Sequence, residues 1–121
     1  MNILTKLLTY QNQVKILHWQ TTSFSEHKTL DGLYSELSGH IDEFIETFMG
    51  KYGRIVAQSS FNLTLQNYSA LAPMDLMNQM AAYLINELPT MLDDKKDTDL
   101  LNLRDEILAS VNQTKYLLTL K

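Results

Sequence analysis

The stretch from Glu26 to Met49, EHKTLDGLYSELSGHIDEFIETFM, carries apolar side chains at Leu30, Tyr34, Leu37, Ile41, Phe44 and Phe48. These positions advance in steps of four and three, the repeat of one face of an α-helix. Ser25 stands where an N-cap belongs, and Gly50 and Gly53 stand where the helix should close. Such a helix is roughly 36 Å long at 1.5 Å per residue. Upstream, Ile3, Leu7, Tyr10, Val14 and Leu17 mark a first helix over about residues 2–21. The segment Thr21–Ser25 between them is short, so the two helices form an antiparallel hairpin.

Downstream, residues 54–72 lack a clear helical period. At ~3.3 Å per residue this segment can return along the whole second helix, so a third helix can run parallel to the second. Pro73 fits the first turn of that third helix. Leu76, Met80, Tyr83, Leu84 and Leu88 form its apolar face, and Pro89 should kink or end it near Leu88. Asp93–Asp97 is a polar turn with Asp97 as N-cap. The last helix carries Leu100, Leu103, Ile107, Val111, Thr114 and Leu118 on its stripe. The expected fold is all-α: one domain over residues 1–121, with short links inside each helix pair and a long crossover between the pairs. That arrangement describes a ferritin-like four-helix bundle.

The chain has 121 residues, a size suited to one hydrophobic core, with 45% apolar and 20% charged residues. It contains no cysteine, which removes disulfides, zinc fingers and iron–sulfur clusters as expectations. No run approaches the ~20 apolar residues of a membrane helix. The N-terminus lacks the apolar core and cleavage site of a signal peptide, so a cytoplasmic protein is expected. Net charge is −4, and the short basic run Lys95-Lys96 is flanked by Asp94 and Asp97. A single subunit is therefore not expected to bind DNA through its phosphates. No phosphate-binding glycine loop or nucleophile elbow occurs.

The chemistry-bearing residues cluster in one window: His18, His27, Asp31, Asp42 and Glu46. His27/Asp31 and Asp42/Glu46 are each spaced i, i+4, the spacing of neighbours on a helix surface. On a helical wheel all four lie within an arc of roughly 100°. The pair midpoints are ~22 Å apart along the axis, so one helix cannot wrap both pairs around one ion. Two copies packed antiparallel across a two-fold axis would bring each pair opposite the other, giving two equivalent sites per dimer. A mixed imidazole–carboxylate set suits a first-row redox metal such as iron better than Mg²⁺ or Ca²⁺.

The same acids also fit a plainer reading, a solvated helix face. Two features weigh against it. Gly32 and Gly39 sit mid-helix at a cost of ~1 kcal/mol each relative to alanine, as where helices approach closely. The acidic face also lacks i, i+4 lysines. A histidine beside an apolar stripe, as His18 is, ordinarily serves as a satisfied core or boundary residue. His40 is turned about 140° from the His27–Asp31 face and reads as structural. Met74, Met77, Met80 and Met91 read as core filler, and Tyr34, Tyr52, Tyr83 and Tyr116 as core or boundary residues.

Taken together, His18-Trp19, HKTLD at 27–31 and DEFIE at 42–46 resemble the Dps mini-ferritins (DNA-binding proteins from starved cells). The likeness covers residues 14–50 strongly, with a weaker echo in Asp97–Leu101 and Lys115–Leu118. It implies a ferroxidase that oxidises Fe(II) with hydrogen peroxide or dioxygen, protecting against iron and oxidative stress. His18, His27 and Asp31 of one subunit would meet Asp42 and Glu46 of its partner around one or two iron ions, which other divalent metals may replace. Trp19 would be an electron donor beside the site, or a packing residue. The family's homo-oligomer is a dodecameric shell built on two-fold dimers, which stores the ferric product. This chain is shorter than typical members, its His18-to-His27 interval is shorter, and the family's lysine-rich DNA-binding extension has no counterpart in it. The alternative expectation is a non-catalytic metal-binding or structural helical oligomer with the same fold.

Overall fold

The computed structural model describes residues 2–121. Four α-helices pack together, and no strand occurs among the described residues. They are α1 (Ile3–Gln20), α2 (Phe24–Tyr52), α3 (Pro73–Ala82) and α4 (Thr98–Leu117). The α1 helix packs along α2, α2 along α4 and α3 along α4, with a sparser contact between α1 and α3. The apolar stripes meet in one core, where Leu7, Leu17, Leu30, Leu37, Phe44, Leu76 and Leu100 are fully buried. Among the described residues no helix is long and apolar enough to cross a membrane.

Helix ends follow local chemistry, with some differences from expectation. Asn2 caps α1, its side chain accepting from the Thr5 N–H at 2.8 Å. Ser23, not Ser25, caps α2, accepting from the Glu26 N–H at 3.3 Å. The reason is the Ser-x-x-Glu pattern of residues 23–26, a capping-box signature. Here Thr21 links its two ends: its hydroxyl donates to Glu26 at 2.7 Å and accepts from the Ser23 N–H at 3.1 Å. At the other end α2 runs through Gly50 to Tyr52. Gly53 then ends it with φ of 87°, a backbone region that favours glycine.

The crossover, residues 54–72, returns to the start of α2 and is strapped down there by side chains. The Gln13 amide both donates to the Gln66 carbonyl (2.9 Å) and accepts from the Gln66 N–H (2.7 Å). Gln20 does likewise with the Asn67 side chain and the Tyr68 N–H. The Tyr68 hydroxyl donates to Glu26 at 2.7 Å. Because α3 begins at this end and Tyr83 packs on Tyr10 further down, α3 runs parallel to α2.

After Ala82 the helix loosens into a π-helical turn (Tyr83–Glu87) and a 3₁₀ turn (Leu88–Met91). Pro89 supplies no N–H, and the Leu88 N–H reaches back to the Tyr83 carbonyl. The Leu84 carbonyl, left without that donor, accepts from Arg104 of α4 at 2.9 Å. Met77 and Met80 are core residues as expected, whereas Met91, Tyr52 and Tyr116 are exposed.

Asp97 occupies the N-cap position of α4 but makes no side-chain cap bond. It is fully buried, and its carboxylate accepts from the Tyr52 hydroxyl (2.6 Å), Lys51 Nζ (2.9 Å) and the Asp93 N–H (2.8 Å). Lys51 also pairs with Asp99 at 2.9 Å, so this cluster joins the end of α2 to the start of α4. These donors, the Asp93 backbone first and then Tyr52 and Lys51, hold the Asp97 carboxyl down at about 2.

Two outcomes follow. An unfolded aspartate titrates near 3.9, so Asp97 stabilises the fold fully above that pH and loses its contribution as pH falls towards about 2. Asp97→Asn should flatten the acid limb of a melting-temperature-versus-pH curve and lower the melting temperature at neutral pH. Phe44 is fully buried, so Phe44→Ala should cost about 3–5 kcal/mol in urea unfolding.

Candidate metal centre

The short α1–α2 link brings His18 and His27 face to face. Their rings stack with centroids 3.9 Å apart and planes 17° from parallel. Each histidine's Nδ1 lies against the other's backbone carbonyl, at 2.8 Å for His18 and 2.9 Å for His27. A carbonyl can only accept, so both Nδ1 atoms carry a proton. In the neutral rings both Nε2 atoms therefore keep an open lone pair. That is how metal-binding imidazoles are ordinarily prepared, with the far N–H tied to a carbonyl. Lone pairs lie in the ring planes, and nearly parallel planes do not converge on one ion. Any ions held by the pair would therefore be bound one per ring rather than shared.

His18 Nε2 lies 3.9 Å from Asp31 Oδ1, and Lys15 Nζ lies 4.0 Å from the same oxygen. Lys15 is held between the rings of Trp19 (5.5 Å) and Tyr34 (4.5 Å). His18 is buried while Asp31 is exposed, so the group opens outward. Trp19 and Phe24 flank it, 65% and 75% exposed, with Phe24 6.4 Å from the His27 ring.

Asp42 and Glu46 lie further along α2, both exposed. The Glu46 carboxyl is pushed up, first by its hydrogen bond to Asp42 and then by the charges of Asp42 and Glu43. Two carboxylates this close repel when both are ionised, and a bound cation relieves that. Beside them a groove of about 480 Å³ runs between α1 and α2, lined by Leu4, Leu8, Ile41, Ile45 and Gly39 among others. Cβ atoms built on Gly32 and Gly39 meet nothing within 4 Å. Neither glycine is therefore needed for packing inside the chain.

The five sequence-derived residues fall into two groups, at His18/His27/Asp31 and at Asp42/Glu46. Among the described residues, no three His, Cys, Asp or Glu side chains of one chain come together as a metal cluster. His40 lies elsewhere, 3.5 Å from Glu106 of α4. Spacing did not reveal Lys15, which reaches Asp31 from α1, or the Thr21–Glu26–Tyr68 network beside His27. The only sequence signals for them were the three-residue step from Lys15 to His18 and the Ser-x-x-Glu cap.

A family of unknown function, DUF5856, matches residues 18–118. The chain belongs to this family. The DUF5856 match begins at His18 and takes in the His27/Asp31 and Asp42/Glu46 pairs, the crossover and all of α4. The chain is also similar to an uncharacterized 14.6 kDa protein from the mobD–ri intergenic region of Enterobacteria phage T4. The two are 27% identical over 104 residues, covering 86% of this chain and 75% of the phage protein. No solved structure matches the chain.

Nitrogen-15 NMR at a pH where the rings are neutral should find His18 and His27 protonated at Nδ1. Nε2–H tautomers would contradict the paired carbonyl bonds.

Proposed function

We propose that this chain is a Dps-like mini-ferritin subunit with a ferritin-like bundle, oxidising ferrous iron at sites completed across a two-fold dimer. The observation that carries this reading is the reciprocal His18–His27 pair, which leaves two open imidazole lone pairs beside Asp31 on an exposed face. Asp42 and Glu46 of a partner would close the site and supply anionic oxygen, which favours the ferric product. Iron is the substrate. One hydrogen peroxide takes one electron from each of two ferrous ions and two protons from solvent, giving two ferric ions and two waters.

Several features support the dimer. The midpoint between the two half-sites falls near Glu36 and Leu37, and the exposed positions around it include, besides Glu36, the small residues Gly32, Ser35, Ser38 and Gly39. Small residues let two helices approach closely, and the Leu4/Leu8/Ile45 groove offers apolar surface alongside. In this arrangement Trp19 lies at the edge of the iron site, where it can give an electron to an escaping radical. That same groove also suits the second reading, a helical oligomer that assembles without turnover.

Ferrous iron and peroxide, mixed without oxygen and followed by ferric absorbance, separate the two. Wild type should oxidise iron well above buffer, and His27→Ala with Asp31→Ala should slow it by about a hundredfold. Equal rates in the double variant would sink the enzymatic reading. Gly39→Leu meets open space within the chain, so its helix should survive; native mass spectrometry should show it monomeric and the oxidation assay should show it inactive.

A further inference from the structure

We propose that the open cleft between α1, the crossover and α3 binds a small oxyanion. It lies on the side of α1 strapped by the crossover, and it stands independently of the iron reading. Its volume is about 180 Å³, below the usual range for nucleotide-sized or drug-sized ligands but ample for a phosphate-sized ion with water.

The lining has one electrostatic sense. Lys6 brings an ammonium, and Tyr10, Thr64 and Gln79 bring groups that can donate hydrogen bonds. No Asp or Glu among the described residues lines it, although the chain holds 14 of them. Lys6 forms no ion pair among the described residues. Its amine is instead steadied over two aromatic rings, 5.2 Å from the centre of Tyr10 and 5.5 Å from that of Tyr83. An unpaired cation facing a cleft of donors is the chemistry that recognises an oxyanion. Glu87, exposed on the following turn, acts on both Tyr10 and Tyr83 but does not line the cleft.

One further observation ties this cleft to the fold rather than to a lone surface lysine. Gln13, 2% exposed, lines it and fixes the crossover wall through its paired bonds to the Gln66 backbone.

The test is a titration of the iron-free full chain with inorganic phosphate, read by amide NMR, with sodium chloride at matched ionic strength as the second arm. Phosphate should give saturable shifts at Thr64, Gln66 and Gln79 that chloride does not. Lys6→Gln should weaken the affinity by about tenfold or more, while Lys6→Arg should keep it. Unsaturable shifts, equal shifts with chloride, or unchanged affinity in a folded Lys6→Gln would each overturn the proposal. Should Lys6→Gln fail to fold, wild type and Lys6→Arg still decide: a protein that does not saturate with phosphate has no such site.

Discussion

The length of α2 sets the terms for the rest of the molecule. Its 29 residues make a rod of about 43 Å, and the chain leaves it at the end opposite the histidines. To add a third helix parallel to α2, the chain must travel back along that rod, and it does so without regular structure. A segment of this kind loses much entropy when ordered and gains little from its own backbone. The glutamines of α1 offset that loss by pairing with the crossover's peptide groups at Gln66 and Tyr68. Tyr68 adds a bond to Glu26, so the crossover ends beside the α1–α2 link. The start of α3 and the histidine pair thus occupy the same end of the bundle for one geometric reason.

The opposite end solves a different problem. There α2 stops and α4 starts, and two helix termini leave unpaired backbone groups. Asp97 and Lys51 form the joint, and its buried carboxylate is tolerable because every side of it faces a donor. Arg104 performs a related service further up, meeting the Leu84 carbonyl that the π-turn sets free. Polar side chains do much of the work of closing this small bundle.

Helix identities were legible because the apolar stripes are long and regular; most of their residues form the observed core, with Tyr34, Phe48, Leu103 and Leu118 only partly buried against it. The elements read less well were those decided by side chains acting on distant backbone. Asp97 looks like a cap in sequence, but its carboxylate turns inward to Tyr52 and Lys51. The cap of α2 fell two residues early because Thr21 connects Ser23 to Glu26. The candidate site was legible in part: i, i+4 spacing found the ligand types and their common face. It could not show that His18 and His27 lock each other's tautomer, since that depends on two carbonyls brought together by the link. Lys15 was hidden for the same reason, reaching Asp31 from a neighbouring helix.

The mutual histidine bonds have a consequence for binding energetics. Free imidazole side chains must surrender rotation when they grip an ion, and that loss ordinarily subtracts from affinity. Here the rotation is already gone once the hairpin folds, because each ring is tied to the other's backbone. The hairpin therefore holds both rings in preset positions, their spacing set by the turn at Thr21–Ser23. Lengthening that turn by even one residue would shift the two carbonyls relative to the two rings and uncouple both donors together.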